Sequence, residues 1–243
     1  MLNSGGFEQT FLPKGKRLIK LVEVRKVRQD DSLKVREVAQ GFRERFGIDY
    51  FNTFSPVVGT TAIRLLTSIA AAHGLTLWSA DVTQAYLNAD LEEEIYVAIP
   101  KGFNHDPSLG NCFRLKRSMY GLKQSGRNWC KRLVEVLKLC GLEHSKVESC
   151  VFTKFDEQRK PIITLATVVN DILAVAFKEV WIEFIADVKK HIALDEGSIM
   201  EATEFNVCRI HRASEHRYIA WIVAFAIASA SSRLRTPVVF ARE

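Results

Sequence analysis

Two apolar β runs, Pro161 to Val169 and Ile172 to Phe177, are separated only by Asn170-Asp171. So short a polar break reads as a hairpin, because Asn and Asp tolerate the turn conformations that a tight tip requires. Apolar strands on both sides predict a hairpin buried in a larger sheet, with its polar tip aimed at something. A further run, Leu75 to Val82, reads as a strand that is apolar on both faces near its end, and Asp81 sits in it. A carboxylate left unpaired there would cost several kcal/mol. Asp81 is therefore expected either to be paired or to hold a metal.

The other segments fill in around these strands. Arg17 to Arg28 is β-rich, Gln29-Asp30-Asp31-Ser32 is a turn signal, and Leu33 to Ala39 completes a charged hairpin. Thr60 and Thr61 offer an N-cap to a helix carrying Ile63, Leu66, Ile69 and Ala70, stopped by His73-Gly74. Glu92 to Glu94 reads as a solvated turn before a strand from Ile95 to Pro100. From Gln124 to Gly141, Trp129, Leu133, Val136, Leu137 and Cys140 share one helical face, with Lys131, Arg132 and Lys138 off it. Val180, Trp181, Phe184, Ile185, Val188 and Ile192 mark another amphipathic helix. After Asp195 the pattern weakens, and the Ala-rich segment Ala220 to Ser232 reads as a core or interface helix. The order of hairpin, helix, strand, strand, helix, hairpin and helix predicts an α+β chain.

A chain of 243 residues with 47% apolar types and a net charge of +6 is an ordinary globular composition, which excludes a disordered tail or a fibre. The five cysteines are odd in number and lack a C-x-x-C pair, so neither a disulfide framework nor a zinc site is expected. Free thiols, with no apolar h-region at the start, fit an intracellular compartment, cytoplasmic or nuclear. The longest apolar run, Tyr218 to Ala230, is too short to span a bilayer, so no membrane partner is expected. Cys208, His211 and His216 have Arg209, Arg212 and Arg217 around them and are not read as a metal site. Residues 101–140 carry about +7 and residues 51–100 about −4. The basic stretch is either a solvated helix face or a phosphate-facing surface beside an acidic, cation-binding region.

Two acidic loci in β structure, Asp81 and Asp171, flank this basic stretch in sequence. That is an arrangement polymerases need: carboxylates from separate strands hold two divalent ions, and cationic groups hold triphosphate and template–primer. The run Asp81-Val82-Thr83-Gln84-Ala85-Tyr86-Leu87-Asn88, continued to Glu94-Ile95-Tyr96, closely resembles the palm motif of copia-type LTR-retrotransposon reverse transcriptases. Thr53-Phe54-Ser55-Pro56-Val57-Val58 upstream and Met119-Tyr120-Gly121-Leu122-Lys123-Gln124-Ser125 downstream are similar to further blocks of that family, and the likeness runs from about residue 12 to 212.

The resemblance implies a fingers–palm fragment with an incomplete thumb. Residues 12–75 would be the fingers and fingers-to-palm segment, 75–212 the palm with its antiparallel sheet and packed helices, and 213–243 a divergent C-terminal helix or tail. It implies an RNA-directed DNA polymerase that adds dNTPs to a primer on an RNA or DNA template with Mg²⁺. Asp81, Asn170 and Asp171 stand at the catalytic positions, with Val82 offering a carbonyl to the metal. Tyr86, which alone reads as a half-buried core aromatic, matches the residue that excludes a ribose 2′-OH. Lys34, Arg36, Tyr120 and Gly121 match nucleotide-binding positions, and Lys123, Gln124, Ser125 and Arg127 template–primer positions. The family's Tyr-x-Asp-Asp tip, however, reads Val168-Val169-Asn170-Asp171. An amide is a poorer ligand for a hard cation than a carboxylate, so the second ion is expected to bind weakly and catalysis to be impaired. Glu37 in place of an apolar residue, Gly126 in place of proline, and the divergence from Trp221 onward also depart from the family. A non-catalytic nucleic-acid-binding remnant and an inert product of a decayed element remain the competing readings.

Overall fold

The computed structural model describes residues 5–27, 31–205, 208–214, 217–222 and 237–241. In chain order the first strands are β1 (Phe7–Thr10), β2 (Leu18–Ile19), β3 (Leu21–Val27) and β4 (Leu33–Ala39). Then come α1 (Thr60–His73), β5 (Thr76–Asp81), β6 (Tyr96–Ala98), β7 (Cys112–Leu115) and α2 (Ser125–Leu139). They are followed by β8 (Glu143–His144), β9 (Val151–Phe155), β10 (Pro161–Val168), β11 (Asp171–Ala176) and α3 (Lys178–Lys189). The chain closes with β12 (Met200–Glu201), β13 (Glu204–Phe205), β14 (Cys208–Ser214), β15 (Arg217–Ile222) and β16 (Pro237–Ala241). The fold is α+β, and among the described strands all pairings are antiparallel except β2 with β6.

Two compact units divide the chain, and each is discontinuous. One comprises residues 1–55 and 84–132, the other 56–83 and 133–243. In the first, β1-β7-β6-β2 form a sheet over a core of Ile19, Val97, Phe113, Leu115 and Met119. Leu18-Ile19, expected in the charged hairpin, pairs instead with Tyr96-Val97, because the buried Ile19 side chain belongs to that core. The hairpin proper is β3–β4, with Val22, Val24, Val27, Leu33 and Val35 all exposed.

In the second unit the sheet order is β12-β5-β11-β10-β9-β8. α1 packs its Ile63, Leu66, Ala70 and Ala71 against Leu77, Leu173 and Val175 of this sheet. On α3, Trp181, Phe184, Ile185 and Val188 are buried, and the Trp181 ring stacks on Trp78 with centroids 6.0 Å apart. β11 is therefore apolar from Ile172 to Ala176, as a strand covered on both faces must be. α1 ends as the sequence predicts, at Gly74 with φ +63°. Its N-cap, however, is Gly59 rather than Thr60 or Thr61, because the chain is still extended at Gly59 and both threonines already lie in the first turn.

The hairpin tip also differs from its reading. The pairing of Val168 with Asp171 leaves Val169-Asn170 as the two turn residues, and Asp171 begins the return strand. The expected helix from Ala220 is contradicted at its start. Ala220 to Ile222 lie in β15, which pairs with β14 on one side and β16 on the other, and ladders on both edges outweigh alanine's helical preference. The rest of that expected helix, 223–232, lies outside the described residues, as does His216. Among the described residues, Cys112, Cys130, Cys140 and Cys150 are not joined in disulfides. No helix among the described residues is long and apolar enough to cross a membrane.

Candidate active site

β5 and β11 run antiparallel with Leu77 opposite Val175, Ser79 opposite Leu173 and Asp81 opposite Asp171. Directly opposed residues share a face, so one row passes from the buried Leu77–Val175 pair through Ser79–Leu173 to a carboxylate pair at its end. The Val82 N–H donates to the Asn170 carbonyl at 2.9 Å. That bond flanks the Asp81–Asp171 pair and makes it the non-hydrogen-bonded type, in which Cα atoms approach to about 4.5 Å and side chains lie closest. The two acids that the sequence left 90 positions apart thus sit side by side, both partly exposed.

The main chain at Asp81 is held from its other edge. Its N–H donates to Ser198 Oγ at 2.7 Å, and its carbonyl accepts from the Asp195 N–H at 2.9 Å. Val82 is buried at 2% exposure. Its N–H faces the hairpin tip, and a strand residue's carbonyl points to the same side as its N–H, so the Val82 carbonyl faces the tip as well.

Asn170 turns this pair into something other than a three-carboxylate site. Its Nδ2 amide donates a hydrogen bond to Asp81 Oδ1. A side chain that presents N–H to the aspartate does what a cation would do, in a weaker form, at the same oxygen. Among the described residues no three His, Cys, Asp or Glu side chains gather closely enough to hold a metal ion. The donors present, two adjacent carboxylates and a carbonyl, suit one hard divalent cation and not a pair.

The first unit brings other expected residues together. Tyr86 lies in a short 3₁₀ turn, Ala85–Asn88. Its ring packs edge-to-face on Tyr120 with centroids 4.7 Å apart, and the Arg36 guanidinium lies 5.2 Å from the Tyr120 ring centroid. Burial, with Tyr120 adding to it, pushes the Tyr86 hydroxyl pKa up, which keeps it neutral. Lys34 shares a face of β4 with Arg36. Opposite Lys34 across the hairpin stands Lys26, a cation that the sequence reading missed. Gly121, at φ +95°, allows the close approach of its loop to β4, where a Cβ would lie 2.1 Å from the Ala39 carbonyl oxygen.

The four expected template–primer residues separate into two kinds. Gln124 and Ser125 are 0% and 1% exposed. Gln124 donates to the Asp49 carbonyl at 3.2 Å, and Ser125 to the Met119 carbonyl at 2.6 Å. Both side chains are thus buried and spend a donor on a main-chain carbonyl of their own unit. Lys123 is exposed, its ammonium 3.1 Å from the Tyr50 hydroxyl, and Arg127 is partly exposed.

The sequence profile described as reverse transcriptase (RNA-dependent DNA polymerase) matches residues 6–226. The Retrovirus-related Pol polyprotein from transposon TNT 1-94 of Nicotiana tabacum is 37% identical over 178 residues, which is 71% of this chain and 13% of that protein. The Retrovirus-related Pol polyprotein from transposon RE2 of Arabidopsis thaliana is 34% identical over 152 residues, 61% of this chain and 10% of that protein. The Transposon Ty1-ER2 Gag-Pol polyprotein of Saccharomyces cerevisiae is 32% identical over 164 residues, 65% of this chain and 8% of that protein. The matched stretch is thus between 8% and 13% of these relatives' length. Among solved structures, a foamy viral protease-reverse transcriptase in complex with double-stranded DNA is 12% identical, covers 85% of this chain and 31% of that chain, and gives a TM-score of 0.45.

Proposed function

The chain belongs to the reverse transcriptase (RNA-dependent DNA polymerase) family, and from that membership we propose that it is the fingers–palm part of a copia-type polymerase whose catalysis is impaired at Asn170. The reaction is template-directed addition of a dNTP to a primer 3′-OH with release of pyrophosphate. Asp81 and Asp171, with the Val82 carbonyl, hold Mg²⁺. The ion, when bound, lowers the pKa of the attacking hydroxyl and offsets charge on the transferring phosphoryl group. Tyr86 against Tyr120 forms the wall that excludes a 2′-hydroxyl. Arg36, Lys34 and Lys26 face the triphosphate, and Lys123 with Arg127 contact the template–primer backbone. The palm-like role belongs to the sheet of β5, β10 and β11, and the fingers-like role to the β3–β4 hairpin.

The observation that carries the impairment is the Asn170 amide donating to Asp81. A cation competes with that hydrogen bond for Asp81 Oδ1, and it gains from Asn170 only a neutral oxygen in return. Primer extension on an RNA template tests the reading. Asn170→Asp is expected to raise the rate by about 10³ over the native chain, and Asp81→Asn to abolish it. Robust extension by the native chain, unchanged in Asn170→Asp, would overturn the impairment.

A second reading is favoured by the same amide together with the basic stretch 101–140: binding of nucleic acid without chemistry. It predicts duplex binding that weakens steeply with salt and no Mg²⁺-dependent extension even in Asn170→Asp.

A further inference from the structure

The edge strand beside Asp81 is interrupted where the aspartate sits. Met200 lies opposite Ser79, and Leu194 lies opposite Val82. Six steps on one chain therefore face three on β5, and the surplus is taken up by a 3₁₀ turn, Glu196–Ser198. An uninterrupted strand would offer a main-chain carbonyl to the Asp81 N–H. Here the Ser198 hydroxyl takes that place, at 2.7 Å.

The hydroxyl is itself held. It donates to the Asp195 carbonyl at 2.6 Å, while the Asp195 N–H donates to the Asp81 carbonyl at 2.9 Å. A serine hydroxyl has one proton to give and lone pairs to receive, so it serves both bonds at once. The Asp195 carboxylate closes the turn by accepting from the Gly197 N–H at 3.1 Å. Two residues beyond Asp81 on the same edge, the Thr83 N–H donates to the Ala193 carbonyl at 2.9 Å. Both polar main-chain groups of Asp81 are thus tied to one turn, and its side chain accepts from the Asn170 amide, with Asp171 opposite it in the ladder.

We propose that Ser198, anchored on Asp195, is a positioning residue that fixes the Asp81 main chain so that its carboxylate and that of Asp171 converge on one divalent cation. Asp81 is the last residue of its strand, where an untied main chain frays. A ligand pair must hold its geometry to within about 0.5 Å to bind a metal well, and hydrogen bonds to the main chain that carries the ligand supply that precision. This assignment rests on the reading of Asp81 as a metal ligand, and the test separates the two.

The variants are Ser198→Ala, Ser198→Thr and Asp81→Asn, each in the full chain. Three readouts are taken: amide hydrogen exchange, Mn²⁺ binding followed by the electron paramagnetic resonance of free Mn²⁺, and thermal melting. In Ser198→Ala the Asp81 amide is expected to exchange about three- to tenfold faster, the effect of one hydrogen bond. The Mn²⁺ midpoint should weaken by a similar factor, with the Leu173 and Val175 amides unchanged and the melt lowered by no more than one hydrogen bond accounts for. Ser198→Thr, which keeps the hydroxyl, should retain both protection and affinity. Unchanged Mn²⁺ binding in Ser198→Ala, or equal loss in Ser198→Thr, would overturn the positioning role. Unchanged Mn²⁺ binding in Asp81→Asn would overturn the metal reading of Asp81, while the exchange result would still report whether Ser198 holds its main chain.

Discussion

Val169 enters the hairpin tip at φ +52°, a conformation that a β-branched side chain avoids because its Cβ crowds the backbone. It is 40% exposed, so little burial compensates. Val169→Asn, which tolerates this conformation, is expected to raise the unfolding free energy by about 1 kcal/mol in urea titrations. A destabilised variant would show that the valine's contacts outweigh its strain. Glu44 has a different conflict. It is 5% exposed, its Oε2 accepts from the Lys123 N–H at 2.8 Å, and its Oε1 has no hydrogen-bond partner among the described residues. Burial lifts its carboxyl above the ordinary range, and Asp49 adds to this; the Lys123 N–H and charge and the Gln124 side chain pull the other way and do not cancel it.

The pH consequence follows from the sign of that shift. With a raised pKa, the fold keeps a proton that the unfolded chain has already released. Stability therefore falls as pH climbs from the unfolded value, about 4.3, through the folded one. Glu44→Gln lacks this loss. Its stability relative to the native chain should rise with pH across that window and level off above it, as melts over a pH series would read. A constant difference would show that Glu44 does not titrate in the folded state.

Two glycines mark how local segments are built, and they call for opposite substitutions. Gly121 at φ +95° has the Ala39 carbonyl oxygen 2.1 Å from where a Cβ would stand. Gly121→Ala should destabilise the chain by about 2 kcal/mol or more, because strain and collision add. Gly126 lies in the first turn of α2, and a Cβ there would meet Ser55 Cβ at an ordinary 3.5 Å. Gly126→Ala should stabilise by about 0.5 kcal/mol, through lost freedom in the unfolded chain. Denaturant midpoints compare the two directly. α1 and α3 were legible in sequence because each buries one stripe at helical spacing. The tip of β10–β11 was misread by one residue, since Asn and Asp suit a turn equally well. Register decided it: placing Asp171 opposite Asp81 puts Leu173 and Val175 in the same row as the buried Leu77.

Net charge and its placement concern the chain's dealings with polyanions. The chain carries +6 overall, and the exposed pairs Lys16–Glu94, Lys116–Glu8 and Lys131–Glu92 each add little to stability. If Lys123 and Arg127 contact phosphates, log K for a template–primer duplex should fall linearly with log salt. Each Ala substitution should then make that slope shallower by about 1. Filter binding across a salt series measures it, and an unchanged slope in both variants would remove them from the interface.

Identity was written in the chain order of residues: the run around Asp81, the blocks near Thr53 and Tyr120, and the loss of a carboxylate at Asn170 all lie in short continuous stretches, where side-chain type alone carries the signal. So did the amphipathic helices and the hairpin, whose patterns repeat over neighbouring residues. Other features come from contacts between residues far apart in sequence, which no local pattern encodes. The pairing register set Asp81 against Asp171, aimed the Asn170 amide at Asp81 and stood Lys26 opposite Lys34. Packing buried Gln124 and Ser125, which the resemblance had set at template–primer positions. A three-residue slip of the edge strand put Ser198 where a main-chain acceptor would have been, because long-range hydrogen bonding must satisfy every polar group at a strand end and takes whatever side chain the fold delivers there.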